Sequence, residues 1–224
     1  MSQTLDAHVS RDPRILSVYR EARRRYAEKN LTHHNFAHVM RDLYRALDIA
    51  EDEPSVNHGV LIPGVLLHDI GFCNPEFRRL GHDVAGARLA KEILSPLGYD
   101  KNSSDAICHC ILAHKGHAAH PQSLEAKILY DADVLEKAGL VCLLFGGKII
   151  HEFQETVDDF LQRECDHRSA EITRGFYTSK AGELDCGRLE RIRSLLTDMK
   201  KEITGERPEF SIVEQDLWRG DPPA

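Results

Sequence analysis

The sequence of 224 residues lacks long apolar runs, zinc-type cysteine spacings and alternating strand patterns. The longest apolar stretch, 140–145, is far too short to span a bilayer, and segment 1–11 lacks the apolar core of a secretory signal. Six cysteines are present, but Cys108 and Cys110 would point to different sides of a helix and form no zinc pattern. These absences predict a cytoplasmic protein with free thiols and no membrane partner.

Basic residues are also fewer than acidic ones. The chain has 29 Lys and Arg against 36 Asp and Glu, which gives a formal net charge of -7. Nucleic-acid binders usually carry a basic face, so the composition argues against nucleic acid as a partner. A small anionic substrate needs only a local basic pocket and stays compatible with this charge.

Apolar residues recur at helical spacing through most of the chain, and no repeat period is visible. With 42% hydrophobic residues, the length suits one large domain with a real core. The pattern predicts an all-α fold with helices starting near Pro13 and at about 35–50, 56–69, 82–96, 102–114, 123–137, 140–164, 167–178 and 184–203.

Three regions follow from this pattern: a flexible N-terminus at 1–11, a helical domain at 12–204, and an extended C-terminal tail at 205–224. The tail contains several prolines together with apolar residues such as Phe210 and Trp218. Apolar residues in an extended tail favour packing against a surface. We expect that surface to be either this domain or a second subunit, as in a homodimer.

The one unusual abundance is histidine, with 13 residues. His68 and Asp69 interrupt the most hydrophobic segment of the chain, next to Leu66, Leu67 and Ile70. Burying an unpaired carboxylate costs several kcal/mol, a large part of the stability of a whole domain. A divalent metal is the strongest available partner, because neutral imidazole and carboxylate are its normal ligands. A buried hydrogen-bonded histidine, or an exposed aspartate at a helix end, explains an isolated pair equally well.

Helical periodicity does not decide whether His38, or one of the two aspartates Asp131 and Asp133, is a metal ligand. On its helix, His38 lies opposite the apolar stripe that contains Phe36 and Leu43, so a solvated polar face explains it as well as a site does. In the helix predicted at 123–137, Asp131 lies nearer the apolar stripe than Asp133 does. Either aspartate could be a ligand on this evidence.

Taken in order, three motifs resemble the HD-domain superfamily of metal-dependent phosphohydrolases. They are Asn35-Phe36-Ala37-His38-Val39, then Leu66-Leu67-His68-Asp69-Ile70-Gly71, then Asp131-Ala132-Asp133-Val134-Leu135. The resemblance covers roughly residues 30–150 and is closest to small stand-alone HD proteins. It implies an HD-type helical bundle with a metal bound by His38, His68, Asp69 and Asp133. Asp131 then becomes a residue that supports the ligands or orients the helix.

His82 and His114 extend the resemblance to HD proteins that bind two metals. In those proteins two histidines between the His-Asp pair and the last aspartate bind the second ion, and the aspartate of the pair bridges both. The alternative is that His82 caps a helix and His114 lies near a substrate loop. The resemblance therefore implies one or two divalent transition-metal ions, and this ligand chemistry suits Mn, Fe, Co, Ni or Zn.

A metal of this kind lowers the pKa of bound water toward about 7, so the expected reaction is hydrolysis. Asp69 would orient that water or take its proton, and Lys115, directly after His114, would bind phosphate oxygens. Weaker cationic candidates are Arg78, Arg79, Lys137 and Arg168. His109, His117, His120, His151 and His167 match no ligand position and are expected on the surface or in loops.

The predicted function is therefore a metal-dependent hydrolase of small phosphate esters, monoesters or diesters, with nucleotides among the candidate substrates. Two alternatives stay open. Some relatives with the two extra histidines are di-iron oxygenases, and some HD domains are non-catalytic sensors or scaffolds. The complete ligand set argues against the last of these.

Overall fold

The computed structural model describes residues 5–204, and that part of the chain contains helices and no strand, which confirms the predicted all-α class. No helix in this part is long and apolar enough to cross a membrane. The elements are α1 (Leu5–Arg11), α2 (Arg14–Lys29), α3 (Phe36–Ala50), α4 (His58–Leu67), a 3-10 turn (Ile70–Cys73), α5 (Phe77–Leu80), α6 (His82–Leu94), a second 3-10 turn (Ser95–Leu97), α7 (Lys101–Ala113), α8 (Leu124–Lys137), α9 (Val141–Phe153), α10 (Val157–Arg174), α11 (Ser179–Asp185) and α12 (Arg188–Thr204).

Helix α4 is the centre of the main core. Its residues from Val60 to Leu67 are all buried, and α2, α3, α7 and α8 pack around it. A helix that is apolar on every side is expected to be surrounded in this way. Gly64 allows α7 to approach closely, because a Cβ at that position would lie 3.1 Å from Cβ of Cys110. Pro63 lies inside this helix, which continues past it to Leu67.

Side-chain caps set the starts of the helices that carry the candidate site. Asn35 caps α3 by accepting hydrogen bonds from the backbone N–H groups of Ala37 and His38. Asp100 and Ser123 cap the starts of α7 and α8 in the same way. Each cap satisfies backbone donors that the first turn leaves unpaired, and so fixes the register of its helix.

A second, smaller core joins α8, α9, α10 and α12, with Tyr130, Phe160, Ile192 and Leu196 among its buried residues. The single helix predicted over 140–164 is wrong here. Gln154 ends α9 with a left-handed backbone (φ 55°), and Thr156 starts α10 in a reciprocal capping box with Asp159. The apolar pattern runs on across this break, which is why periodicity alone missed it.

The predicted break between 164 and 167 is also absent, because no glycine or proline interrupts α10 there. At the N-terminus, residues 5–11 were expected to be flexible but form α1. His8 of this helix is buried, and its ring stacks on that of His58 with centroids 4.2 Å apart. The tail 205–224 lies outside the described residues, so its packing stays a prediction.

Candidate metal centre

Asp69 is buried directly after α4, and four predicted histidine ligands surround its carboxylate. Its Oδ2 lies 3.1 Å from Nε2 of His38 and 3.4 Å from Nε2 of His68. Its Oδ1 lies 3.5 Å from Nε2 of His114 and 3.6 Å from Nε2 of His82. Each carboxylate oxygen therefore faces two imidazole nitrogens, although the histidines come from four different parts of the sequence.

The chain around Asp69 explains how these residues meet. His68 ends α4, and Asp69 precedes the 3-10 turn that carries Gly71. A Cβ on Gly71 would lie 1.8 Å from the carbonyl oxygen of His82 and 2.7 Å from the backbone nitrogen of Gly86. Only glycine permits this approach, which holds the start of α6, and with it His82, against the turn.

Backbone contacts fix the tautomers of two histidines. Nδ1 of His68 lies 2.8 Å from the carbonyl oxygen of Val65, and Nδ1 of His114 lies 2.6 Å from that of Ile111. A carbonyl can only accept, so in a neutral ring Nδ1 carries the hydrogen and Nε2 carries the lone pair. The Nε2 atoms are those that face Asp69, and this is the orientation of metal-ligating histidines.

His38 is held from its other side by two carboxylates that sequence reasoning missed. Its Nδ1 contacts Glu136 and lies 3.3 Å from Oδ2 of Asp42. Glu136 is in turn paired with Arg41. A signal was present in the sequence, because Asp42 follows His38 by four residues and so shares its helix face.

Asp133 is buried in the same cluster, whereas Asp131 is not part of it. Oδ2 of Asp133 accepts hydrogen bonds from Nζ of Lys137 (2.6 Å) and Nζ of Lys115 (3.0 Å). Its Oδ1 has no hydrogen-bond partner among the described residues. Both oxygens of Asp131 are instead used by the backbone N–H groups of Tyr177 and Thr178 and by the Thr178 hydroxyl, at the start of α11.

The donor atoms form two main groups that could each hold an ion. Within each group, one nitrogen or oxygen per residue lies within 4.8 Å of the others. The first group consists of His38, Asp42, His68 and Asp133. The second consists of Asp69, His82 and His114. A third group, His33, His38 and Glu136, shares His38 with the first.

The donor chemistry fits a cation. Oδ1 of Asp69 is buried and has no hydrogen-bond donor among the described residues, and the nearby Nε2 of His114 carries a lone pair. A carboxylate oxygen and a nitrogen lone pair that face each other repel, and a divalent metal satisfies both.

Burial and charge act in opposite directions on the carboxyl groups. Burial alone would raise the pKa of Asp69, but the charge of His68 and the hydrogen bond from His38 hold it well below its usual range. Asp133 behaves in the same way, because Lys115 and Lys137 outweigh the effect of burial on its pKa. Asp42 differs, since burial raises its pKa to about 7. Two of the three carboxylates are therefore strongly held in the ionised form.

A cavity of about 500 Å³ opens beside this cluster, with His82, His114 and Asp133 in its wall. Lys115 and Lys137 line it, as does an aromatic group formed by Phe72, Phe77, Phe145 and Phe153. A largely apolar pocket with a few convergent polar groups is the usual form of a small-molecule site.

Other predicted residues divide between the cavity and the surface. Arg78 lines the cavity, whereas Arg79 is paired with Glu76 on the surface. Arg168 lies in the cavity wall but is fully buried and paired with Glu171. His117, in the loop after α7, and His167, on α10, also line the cavity, although neither matches a predicted ligand position. His167 reaches the cavity because of how α10 packs, and periodicity does not predict such packing.

Comparison with known proteins agrees with this geometry. Residues 35–138 match the family model of the HD domain, which confirms the predicted resemblance over this part of the chain. The match begins at the cap of α3 and ends just after α8, and thus spans all six predicted metal ligands.

Two relatives illustrate the likeness. The 3'-5' exoribonuclease YhaM of Listeria monocytogenes, from three strains, is 28% identical over 143 residues, which cover 54% of this chain and 46% of that protein. The chain thus spans about half the length of these curated relatives. The crystal structure of a predicted HD superfamily hydrolase from an uncultured Thermotogales bacterium is 24% identical, with a TM-score of 0.56 over 90% of this chain and 99% of that chain, and shows the same fold.

Proposed function

We propose that this chain is a metal-dependent hydrolase of small phosphate esters, monoesters or diesters, with nucleotides among the candidate substrates. The observation that carries the proposal is the position of Asp69 between two groups of histidines. A carboxylate placed in this way can bridge two cations at the wall of a cavity. The same cavity contains the ammonium groups of Lys115 and Lys137, which suit an anionic substrate.

The residues divide into two ligand sets. His38, His68, Asp69 and Asp133 would hold the first ion, and Asp69, His82 and His114 would hold the second. Mn, Fe, Co, Ni and Zn are all compatible with these ligands. The ions would supply Lewis acidity toward a phosphoryl oxygen and make water acidic enough to attack at neutral pH.

The chain's own groups then position the reactants. Both oxygens of Asp69 face imidazole nitrogens, which favours a role in holding ions and orienting water over a role as proton acceptor. Lys115 and Lys137 share one oxygen of Asp133 and are only partly buried. Their remaining N–H groups can donate to the free oxygens of a phosphate, and two cations next to one carboxylate leave a net positive charge for it.

Cavity size and charge favour a small substrate. A volume of about 500 Å³ lies within the range of small-molecule sites, and the net charge of -7 is unfavourable for a nucleic-acid polymer. The exoribonuclease relatives support cleavage of a phosphate ester, but the similarity covers only part of those proteins. A compact anionic ester fits these observations together.

A di-iron oxygenase is the second candidate, because the bridging position of Asp69 and the pair His82 and His114 would serve two irons equally well. The non-catalytic alternative has no comparable observation in its favour. Metal analysis separates the two catalytic candidates. Two irons per chain together with oxygen consumption would favour the oxygenase.

The proposal is tested with chelated protein reloaded separately with Mn, Fe, Co, Ni and Zn, and assayed against a panel of phosphomonoesters and phosphodiesters. At least one metal form should turn over a panel member, and His68→Ala and Asp69→Ala should abolish the activity. His151→Ala, which changes an exposed histidine of α9, is the matched control. A metal-loaded protein that is inactive on the whole panel would contradict the proposal.

A further inference from the structure

Arg174, the last residue of α10, lines the cavity without an acidic partner among the described residues. Its Nη1 donates to the hydroxyl of Tyr130 (3.0 Å) and to the carbonyl oxygen of Lys115 (3.4 Å). Its guanidinium carbon also lies 5.2 Å from the centre of the Tyr130 ring. Neutral groups thus hold this arginine in place, and its full positive charge is left uncompensated.

Four other cations of the cavity wall are each paired with a carboxylate. Arg163 is paired with Glu155 and Glu164, and Arg168 with Glu164 and Glu171. Lys115 and Lys137 share Asp133.

Within the described part of the cavity wall, only Arg78 resembles Arg174 in having no carboxylate. Arg78 is exposed and lies over the ring of Phe77, whereas Arg174 is half-buried and hydrogen-bonded. A fixed, uncompensated guanidinium in a cavity is suited to binding an anion.

Gly116 gives independent evidence that the loop after His114 accommodates this guanidinium. A Cβ at position 116 would lie 2.4 Å from Nη1 of Arg174 and 2.8 Å from its Cζ. The backbone of Gly116 is also left-handed, with φ +66°. Any larger residue would therefore displace the Arg174 side chain from Tyr130 and from the backbone of Lys115.

We propose that Arg174 binds the phosphate group of the substrate and determines the specificity of the site for phosphate esters, an inference that rests on the proposed function. Its Nε and Nη2 make no hydrogen bond to a described residue, so they can donate side by side to two phosphate oxygens. The hydroxyl of Tyr130 and the carbonyl of Lys115 hold Nη1, and so orient the planar fork formed by the guanidinium nitrogens. The contact with Lys115, which follows the predicted ligand His114, places the fork next to the metal centre.

The direct test is the affinity of the metal-loaded protein for inorganic phosphate, measured by calorimetry. Arg174→Gln should weaken binding about tenfold or more, the usual cost of losing a charge-assisted hydrogen bond, with metal content unchanged. Arg174→Lys should recover only part of the affinity, because an ammonium lacks the planar fork. Arg193→Gln on α12, an arginine paired with Glu190 outside the cavity, should bind like the wild type.

Gly116→Ala provides a second route to the same site without changing the arginine. It should weaken phosphate binding as Arg174→Gln does. Gly98→Ala is its matched control, because Gly98 has an equally left-handed backbone (φ +80°) but open space around its Cβ. A loss of phosphate affinity in Gly116→Ala but not in Gly98→Ala assigns the effect to the displaced guanidinium and not to backbone strain.

The outcomes separate this inference from the proposed function. If the wild type hydrolyses a phosphate ester and Arg174→Gln leaves both KM and the phosphate affinity within twofold, the assignment of Arg174 is overturned while the function stands. If the wild type hydrolyses nothing but binds phosphate through Arg174, the assignment of Arg174 as a phosphate-binding residue stands, while the hydrolytic function and the role of Arg174 in substrate specificity fall. A raised KM with little change in kcat is the expected kinetic result.

Discussion

The Nε2 atoms of His82 and His114 lie 3.2 Å apart, and both face Oδ1 of Asp69. His114 donates from Nδ1 to the carbonyl of Ile111, so its Nε2 presents a lone pair to His82. Burial keeps the pKa of both imidazoles below its usual value despite the nearby Asp69 carboxylate, so both rings are neutral at pH 7. Two neutral imidazoles and a carboxylate that converge in this way are the donor types that a divalent metal requires, and we propose that they hold a second ion.

The first prediction concerns metal stoichiometry. The wild type should bind two metal ions per chain, and His114→Ala should bind one, because the second set loses a ligand while His38, His68 and Asp133 stay intact. Elemental analysis after reloading and desalting measures the ratio. His151→Ala, with an exposed histidine removed, should keep two ions. A wild type that retains a single ion at saturating metal would rule out the second site.

The second prediction separates Asp133 from Asp131. Asp133→Asn should lower metal affinity at least about tenfold, since an amide replaces an ionised ligand. Asp131→Asn should leave metal affinity unchanged but lower the free energy of unfolding by about 1–3 kcal/mol, because an amide cannot accept all three hydrogen bonds at the start of α11.

Metal titration and urea unfolding of both variants provide the measurement. The assignment of the two aspartates fails if Asp131→Asn is the variant that loses metal, or if both lose it equally.

The third prediction is a pH dependence set by Glu152 of α9. This carboxylate accepts hydrogen bonds from the backbone N–H of His33 and from the ring of His34. Burial would raise its pKa, but the hydrogen bond and charge of His34, together with the backbone N–H groups of His33 and His34, outweigh burial and lower the pKa from 4.5 to about 2. A lowered pKa in the folded state means that the stabilisation is complete above pH 4.5 and is lost as pH falls toward 2.

Urea unfolding of the wild type and Glu152→Gln at a series of pH values checks this. The difference in unfolding free energy should be largest near neutral pH and should narrow below about pH 4.5. Other carboxyl groups titrate in both proteins, so the comparison isolates Glu152. A difference that stays constant down to pH 3 would show that the contact with His34 does not depend on the charge of Glu152.

Sequence reasoning found those site residues that are polar but lie within an apolar segment. His68 and Asp69 interrupt the end of the most hydrophobic helix. A carboxylate buried there needs a positively charged or hydrogen-bonding partner, whatever the rest of the fold is. His38 was harder, because its helix face reads as polar and solvated. The face is buried because Glu136 on α8 pairs with His38, and pairing between helices that are far apart in the sequence leaves no periodic signal.

Arg174 was also invisible in the sequence. Its significance depends on the approach of α10 to the loop at Gly116, a contact between residues far apart in the chain. The split between α9 and α10 was missed for a different reason. The capping box of Thr156 and Asp159 is a local signal, but the continuous apolar pattern around it favoured one longer helix.

Asp69 and the histidines on either side of it are proposed to hold two cations that would supply the hydrolytic chemistry. Crystals of the metal-loaded protein, measured at the absorption edge of the bound metal, test this claim most directly. Two anomalous peaks should flank Asp69, about 3.5–4 Å apart, one within bonding distance of His38 and His68 and the other of His82 and His114. Anomalous density that is absent from both sides of Asp69, or that lies away from these four histidines, would contradict the claim.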